Sequence, residues 1–486
     1  MNKFGITAYV TIFTLGLSGC AAGPDFHGGD APKAQAFTSR PLTGQTVSSA
    51  AKVGAAQSFV NGGRIPEQWW TLFKSKELDG LIRQALTDSP TLAAAEAVLW
   101  EARENVNART GSENYPQLAL GAGTSRQKAS PAAAGMPDGK GNIFDLHNAA
   151  INVSYAFDIF GGGRREIEAL KARVDHERFR LEAAYLTISG NVVTNVIQAA
   201  ALRALVQATE EIIAAQEKQL ALVEKQLALG SVSRAESLSL RAQLEFTRAS
   251  LPAYQKDLSR TRHQLTTLLG QMPTEAAKLP EFDLYALVLP VDLPVSLPSE
   301  LVRQRPDIRA AEALLHAASA GIGVAAANLL PQITLNGSYG PQAGEWNELF
   351  KPDSLVWNVG AGIVQPLFNG GSLRARRRGA VAVYDQTAAN FRATVIRAYQ
   401  EVADVLRSLE ADAAILKAQA DAEAAAGDAL TLARRQFEVG AINFMLVLNA
   451  ERQYQQSRIS LIQAQAARLS DTAALFQALG GGWWNK

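Results

Sequence analysis

The second half of this 486-residue chain repeats the first half at an offset of roughly 210 residues. Four pairs of segments match in the same order: 115–118 with 330–333, 160–162 with 368–371, 227–230 with 437–440, and 268–270 with 478–480. Such agreement indicates a tandem duplication of one structural unit. We assign 66–270 to the first repeat, 271–300 to an equatorial linker, and 301–486 to the second repeat.

Each repeat contains two short stretches in which apolar and polar residues alternate, as they do in a β-strand. In the first repeat the alternation starts at Leu118 and Leu120, and a second stretch covers 147–158. In the second repeat it starts at Ile333, and a second stretch covers 357–365. Lengths of about 9–12 residues with a period of two suit membrane-spanning strands. A hairpin on a soluble domain is the alternative for this signal taken by itself.

Long helical sequence follows each pair of strands. It runs from Arg164 to Gly230 and from Gly371 to Gly440, and neither stretch contains a proline. At a rise of 1.5 Å per residue, each stretch predicts a helix of about 100 Å. Gly230 and Gly440 lie where the chain can reverse into another helix. Alanine-rich surfaces on these helices favour close packing on two faces, as in a coiled-coil wall.

The predicted strands imply that several copies of the chain assemble. Two hairpins supply four strands, and an open sheet edge inside lipid leaves backbone N–H and C=O groups without partners. About eight strands make the smallest closed barrel. We therefore expect a homo-oligomer whose copies share one barrel.

The N-terminus has the layout of a secretory signal peptide that ends at a lipidation site. Lys3 precedes a mostly apolar run over 4–17, which is too short to span a bilayer as a helix. Cys20 is the one cysteine of the chain and resembles the lipobox cysteine of bacterial lipoproteins. We assign 1–19 to a signal peptide and 20–65 to a lipidated segment, with palmitate among the expected acyl chains. A chance cysteine after a signal peptide is the alternative.

Composition and motif spacing argue against several functions. The net charge of +1 is unfavourable for a nucleic-acid partner held through phosphates. A single cysteine permits no disulfide framework, and the five histidines are scattered without metal-ligand spacing. Gly161-Gly162-Gly163 lacks the lysine of a phosphate-binding loop. We expect no enzyme, no metal and no cofactor beyond the lipid on Cys20, and no transmembrane helix after that residue.

Further short motifs occur along the chain in a characteristic order. They are the lipobox at Cys20, GPDF at 23–26, the Trp69-Trp70 pair with Phe73 and Leu78, RQRPDI at 303–308, QPLF at 365–368, the two glycine turns, and LGGGW at 479–483. Together these motifs make the chain resemble the TolC-type outer-membrane factor family, in its lipoprotein (NodT-like) branch serving RND tripartite efflux systems.

The resemblance implies a fold that is mainly α with a membrane β-barrel. In that family three protomers each contribute four strands to a twelve-stranded barrel. Their helices continue as a long periplasmic α-helical barrel, and a small equatorial domain surrounds it. The resemblance also implies an outer-membrane location, with a lipid anchor and an extension into the periplasm.

The resemblance further assigns roles to individual residues. It places a periplasmic gate at Met445, Asn449 and Arg452, with Glu236 as an acidic partner on the other repeat. Many relatives carry an aspartate where this chain has Asn449, so we expect a throat that attracts cations less strongly. Solvated helix-surface charges are the alternative for Arg452 and Glu236. The implied adaptor-contact tips are Leu229, Gly230, Val439 and Gly440, and the implied barrel–tube junction consists of Gly161, Gly162, Gly163, Pro366, Gly370 and Gly371.

The implied function is that of an exit duct for small toxic compounds. The implied partners are a periplasmic adaptor (membrane fusion) protein, an inner-membrane RND transporter and outer-membrane lipid, with no nucleic acid. The outer-membrane component of type I protein secretion is the alternative within the same fold. A lipid-anchored coiled-coil scaffold is a second alternative, although it has no use for two hairpins at matching positions.

Overall fold

The computed structural model describes residues 21–29, 34, 36–130 and 141–485. The expected signal peptide and Cys20 lie outside the described residues. The β-strands are β1 (Ser58–Asn61), β2 (Gln117–Ala129), β3 (Asn142–Phe157), β4 (Asp292–Val295), β5 (Gln332–Ala343) and β6 (Leu355–Val364). The α-helices are α1 (Lys76–Asp88), α2 (Pro90–Asn114), α3 (Gly162–Ala228), α4 (Arg234–Leu268), α5 (Pro298–Gln304), α6 (Pro306–Ala327), α7 (Ser372–Glu438) and α8 (Phe444–Ala478).

The chain divides into two compact units, and each unit contains segments of both sequence repeats. The first, which we call the sheet unit, consists of Met1–Gly29, Val98–Glu177 and Ala310–Phe391. The second, which we call the helical unit, consists of Asp30–Ala97, Arg178–Arg309 and Arg392–Lys486. Neither unit therefore coincides with one repeat, because duplicated segments pair with each other in space.

The sheet unit is built on four antiparallel strands in the order β2-β3-β5-β6. Directly paired residues share a face of the sheet, and Tyr339 lies opposite both Ile151 and Trp357. One face is apolar and carries Leu118, Leu120, Ile151, Val153, Tyr155, Phe157, Ile333, Leu335, Tyr339, Trp357, Val359 and Ile363. The other face is polar and carries Gln117, Asn148, Asn152, Ser154, Thr334, Asn336, Ser338 and Asn358.

The apolar face has little protein packed against it. Leu120 is 80% exposed, Trp357 is 72% exposed and Val359 is 71% exposed. An apolar face opposite a polar face is the pattern of strands that separate lipid from a water-filled lumen. The expected hairpins are confirmed. β3 begins earlier than expected, because its pairing with β2 continues to Asn142 opposite Ala129.

The long helices are also confirmed, and α3 and α7 each contain 67 residues. Each is followed by a 35-residue helix, α4 or α8. Pro252 lies inside α4. A proline therefore does not end this helix, although it removes one backbone donor there.

One described helix, α6, is long and apolar enough to cross a membrane by length and composition. Half of its most apolar window is buried inside the protein, as in a core helix. Length and composition are therefore weak evidence that α6 spans a bilayer.

The Trp69-Trp70 motif lies in the core of the helical unit. Trp69 is 1% exposed and stacks on Phe476 of α8, with a centroid separation of 5.4 Å. Trp70 donates its indole N–H to Asp79 at 3.0 Å, which satisfies the one polar atom of the ring. This motif therefore attaches the segment before α1 to the C-terminal helix.

The RQRPDI and LGGGW motifs meet within the same unit. The Arg305 guanidinium donates to the carbonyl of Ala478 at 2.9 Å and forms ion pairs with Asp307 and Glu401, each at 2.7 Å. The indole of Trp483 donates to the carbonyl of Gln304 at 2.7 Å. These contacts satisfy carbonyl groups at the ends of α5 and α8, which lack partners within their helices.

The GPDF motif lies in the sheet unit beside the start of α3. The Ala22 N–H donates to the Phe160 carbonyl at 2.8 Å, and Asp25 forms a 2.7 Å ion pair with Arg165. Phe26 stacks on His316 with a centroid separation of 4.4 Å. The segment immediately after Cys20 is therefore held against the end of the first hairpin.

Candidate functional site

The two glycine turns that end α3 and α7 have the same local geometry. Gly230 and Gly440 both adopt φ +74°, a left-handed conformation that glycine reaches without steric cost. Gly230 donates to Leu227 at 2.9 Å, and Gly440 makes the corresponding bond to Phe437 at 2.9 Å. The next residue in each turn donates to a carbonyl five residues earlier, which completes a Schellman-type helix end. The duplication therefore extends to individual hydrogen bonds.

The side chains before these glycines point away from the protein. Leu229 is 84% exposed and Val439 is 79% exposed. Each of the two equivalent tips therefore presents a large exposed apolar side chain. The role of the tips in adaptor contact stays a prediction.

Glu236, the expected acidic gate partner, is engaged at the start of its own helix. Its carboxylate accepts from the Ser233 N–H at 2.8 Å, while the Ser233 hydroxyl accepts from the Glu236 N–H. This reciprocal pair is a capping box. The Ser-x-x-Glu spacing that forms the capping box is readable in the sequence. The capping box accounts for the position of Glu236 without a role in a gate.

Met445, Asn449 and Arg452 lie along one exposed side of α8. Spacings of four and three residues place their side chains next to one another on the helix surface. The Arg452 guanidinium donates to the Asn449 side-chain oxygen. The structure therefore groups the three expected gate residues, whereas the contacts of Glu236 lie with Ser233.

The opposite side of α8 buries a glutamate to which sequence reasoning gave no definite role. Glu451 is 4% exposed, and the Arg434 guanidinium of α7 donates to it at 3.4 Å. Burial raises the pKa of Glu451, while Arg434 and a hydrogen bond from Gln219 of α3 oppose that rise. Its second carboxylate oxygen has no hydrogen-bond partner among the described atoms. The sequence signal that could have found it is its spacing of three and four residues from Leu448 and Val447, which are buried on the same side of α8.

An apolar cluster joins the ends of the long helices, and it includes residues of α8 near Glu451 in the sequence. Its buried members are Val223, Leu240, Leu430, Phe444, Val447 and Leu448. Charged groups that are enclosed by apolar side chains are costly unless they are paired. The contact of Glu451 with Arg434 and Gln219 therefore couples the packing of three helices.

A half-buried carboxylate, Asp412, lies further along α7. Burial, and then the charge of the neighbouring Asp471, raise the pKa of Asp412 to about 7, while Arg468 opposes the shift. Arg468 is fully buried and donates to the Ala55 carbonyl at 2.6 Å and to Thr46 at 3.2 Å. The pair of aspartates therefore lies where the N-terminal segment is attached to the helices.

The two hairpin–helix junctions differ although they are repeats. At the first, a Cβ on Gly161 (φ +76°) would lie 2.8 Å from the Cα of Ala21, and a Cβ on Gly162 would lie 3.0 Å from Ala327. At the second, Gly370 (φ +62°) and Gly371 (φ +82°) face open space. Pro366 and Gly163 lie at the junctions as expected from the sequence, and their functional assignment stays a prediction.

In the described part of the chain, no three or more His, Cys, Asp or Glu residues are arranged so that they could hold a metal ion. Near the turns, Glu236 takes part in a helix cap and Glu451 forms an ion pair with Arg434.

A family model described as outer membrane efflux protein matches residues 81–271 and 297–481. The chain belongs to the outer membrane efflux protein family. It is 31% identical to the pyoverdine export outer membrane protein OpmQ of Pseudomonas aeruginosa, over 86% of this chain and 87% of that protein. It is 30% identical to the antibiotic efflux pump outer membrane protein ArpC of Pseudomonas putida, over 100% of this chain and 97% of that protein.

Among solved structures, the outer-membrane channel OprN matches with a TM-score of 0.84 and 27% identity, over 96% of this chain and 100% of that one. The TolC-like fold inferred from the motifs is confirmed. This member of the outer membrane efflux protein family is an outer-membrane efflux channel, and its family is one of transport proteins.

Asp412 gives the first prediction, which concerns pH. Its pKa of about 7 exceeds the ordinary value of 3.8, so the folded protein holds a proton that the unfolded chain releases. The stabilisation is complete below about pH 4 and is lost as the pH rises through about 7. Asp412→Asn keeps a neutral side chain at every pH. We expect its unfolding temperature to exceed that of the wild type above about pH 7, and the difference to shrink toward about pH 4.

The measurement is the loss of helical circular dichroism on heating the detergent-solubilised protein at several pH values. Asp421→Asn is the control, because Asp421 is exposed and pairs with Lys417 on the helix surface. An Asp412→Asn variant with the same pH profile as the wild type would show that Asp412 does not titrate in this range.

Proposed function

We propose that three copies of this chain form the exit duct of a tripartite efflux pump for small toxic compounds. The observation that carries the proposal is the four-stranded sheet, with one apolar face and one polar face and with β2 and β6 at its edges. Those edges have no strand partner within the described residues. In a bilayer each unpaired backbone group is costly, so the edges must be paired by other copies.

The strand count favours three copies. Three chains of four strands give twelve strands, which exceeds the roughly eight strands of the smallest closed barrel. The apolar face would then meet lipid, and aromatic residues near its two ends would lie at the interfaces. These are Tyr155 and Phe157 toward α3, and Tyr339 and Trp357 toward the opposite end.

A periplasmic adaptor protein and an inner-membrane RND transporter complete the proposed pump. The exposed Leu229 and Val439 at two equivalent turns offer the adaptor matching contacts on the two repeats of each protomer. The transporter supplies the energy, and the channel supplies a passage across the outer membrane. A lipid on Cys20 anchors the N-terminal segment, and the contacts of Ala22 and Asp25 direct that lipid toward the first junction.

The passage is proposed to close at Met445, Asn449 and Arg452. Met445 contributes apolar bulk, and Arg452 contributes a charge that Asn449 orients without neutralising. Opening is a change between two arrangements of α7 and α8 that adaptor binding biases. Glu451 stays paired with Arg434 on the packed side of α8, so the exposed side can rearrange separately.

The proposed cargo is small molecules. The relatives named above export pyoverdine or antibiotics by their names. The outer-membrane component of type I protein secretion is the second candidate, because the same fold could pass an unfolded protein.

The gate gives the second prediction. Replacing both Met445→Ala and Arg452→Ser removes bulk and charge from the exposed side of α8, so we expect single-channel conductance in planar bilayers to rise at least about twofold. Leu446→Ala serves as the control, because Leu446 is 50% exposed and lies one residue after Met445, which rotates it by about 100° from Met445 around the helix. Unchanged conductance in the double variant would remove these residues from the constriction.

The anchor gives the third prediction. Cys20→Ser removes the thiol that lipid must modify, so we expect metabolic labelling with a fatty acid to disappear. The polar contacts of Asp25 with Arg165 persist in this variant and hold the segment in place. Labelling that persists in the variant contradicts the lipid assignment.

The cargo gives the fourth prediction, and a deletion strain tests it. We expect greater sensitivity to a panel of toxic compounds, with an unchanged set of secreted proteins. Complementation with the wild-type gene is the control. Loss of one secreted protein with normal resistance would instead assign the channel to type I secretion.

A further inference from the structure

The start of α7 carries four closely spaced arginines, Arg374, Arg376, Arg377 and Arg378, which we call the arginine cluster. All four are exposed. Arg374, Arg377 and Arg378 share one side of the helix, because three and four residues separate them. The first turn of α7 contains no acidic residue. The described part of the protein contains no ion pair to any of the four.

This placement is unfavourable for the helix taken by itself. Like charges three and four residues apart repel one another. The N-terminal end of a helix also carries a partial positive charge, which favours acidic residues there and disfavours basic ones. An external anion that contacts the cluster would offset both effects.

The equivalent position in the first repeat shows a different solution. Arg165 forms ion pairs with Asp25 and Glu168, each at 2.7 Å, and its side chain is only 7% exposed. Arg164 pairs with Asp158 at 3.3 Å. The protein therefore supplies anions for the arginines of the first junction and leaves those of the second to solvent.

An exposed apolar pair precedes the arginine cluster. Leu367 is 93% exposed and Phe368 is 91% exposed, in the connection between β6 and α7. Ile363, on the apolar face of β6 just before this connection, is 68% exposed. Along the chain, an apolar strand face is therefore followed by an apolar connection and then by the arginine cluster. This is the order in which a membrane protein passes from hydrocarbon to headgroups.

The length of the arginine cluster along α7 matches a headgroup layer. Arg374 and Arg378 lie two and six residues beyond Ser372, which corresponds to about 3–9 Å of helix rise. The interfacial layer of one leaflet is about 5–8 Å thick. The separation of Arg374 and Arg378 along the helix, about 6 Å, therefore matches the thickness of that layer.

We propose that the arginine cluster binds the phosphate groups of anionic phospholipids in the periplasmic leaflet of the outer membrane. Leu367 and Phe368 enter the adjoining acyl region. Arginine suits this ligand because its planar group donates paired hydrogen bonds to phosphate oxygens. The site fixes the height of the second junction in the membrane, as the N-terminal segment does at the first.

The test compares lipids retained by the purified full-length channel after reconstitution into vesicles of phosphatidylglycerol and phosphatidylcholine. One surface arginine is expected to favour the anionic lipid about fivefold. We expect the wild type to enrich phosphatidylglycerol over the vesicle composition. Arg374→Gln/Arg377→Gln/Arg378→Gln removes three of the four charges, so its enrichment should be at least about fivefold lower than that of the wild type. The corresponding triple lysine variant should keep most of the enrichment.

The matched control is Arg392→Gln/Arg397→Gln/Arg435→Gln, which removes three exposed charges from the same helix away from the sheet. This control variant should keep the wild-type enrichment of phosphatidylglycerol.

Equal enrichment in the wild type and the cluster variant overturns the proposal. The proposal is also overturned if the cluster variant keeps the wild-type lipid ratio but loses thermal stability in lipid-free detergent. That result would assign the arginines to a contact between copies of the chain. Should the cluster variant fail to assemble, raising the salt concentration must lower the enrichment in the wild type, and an absence of that effect also overturns the proposal.

Discussion

The two open edges of the sheet are the constraint on which the rest of this protein depends. A single chain supplies β2, β3, β5 and β6 and pairs them internally, which leaves one side of β2 and one side of β6 without partners in the described chain. Lipid offers no hydrogen bonds to those edges. The polar face of the sheet has the same requirement, since it needs water that only a closed barrel can enclose. The proposed assembly of three copies satisfies both requirements.

Duplication accounts for much of the architecture, but the two repeats have diverged where the chain meets other groups. The turns at Gly230 and Gly440 agree in φ and in hydrogen bonding, because a helix end is a local structure that five or six residues specify. The two junctions do not agree. Ala21 and Asp25 pack against the first, whereas Gly370 and the arginine cluster face outward at the second. Membrane lipid is the partner that we propose for the second junction.

The end of the helical unit combines a packed side with an exposed side. Glu451 and Arg434 lie on the packed side of α8 together with an apolar cluster, and Met445 and Arg452 lie on the exposed side. The gate that we propose needs this combination, because its lining must move while the helices that carry it stay folded. The capping box of Glu236 belongs to the stable part, since it fixes the start of α4.

The sequence by itself determined the elements whose signals are local. The alternation around Leu120 and Ile333 predicted the hairpins, and the glycines predicted where the long helices end. The set of short motifs, taken in their order along the chain, predicted the family. Only the tertiary structure decided which distant residues meet, because no local pattern encodes such pairs. Arg165 forms an ion pair with Asp25, which lies 140 residues earlier in the sequence, and Arg468 donates to Ala55, which lies 413 residues earlier. The extent of burial at Asp412 and Glu451 was likewise decided by packing, and that burial is what raises the pKa of each carboxyl group.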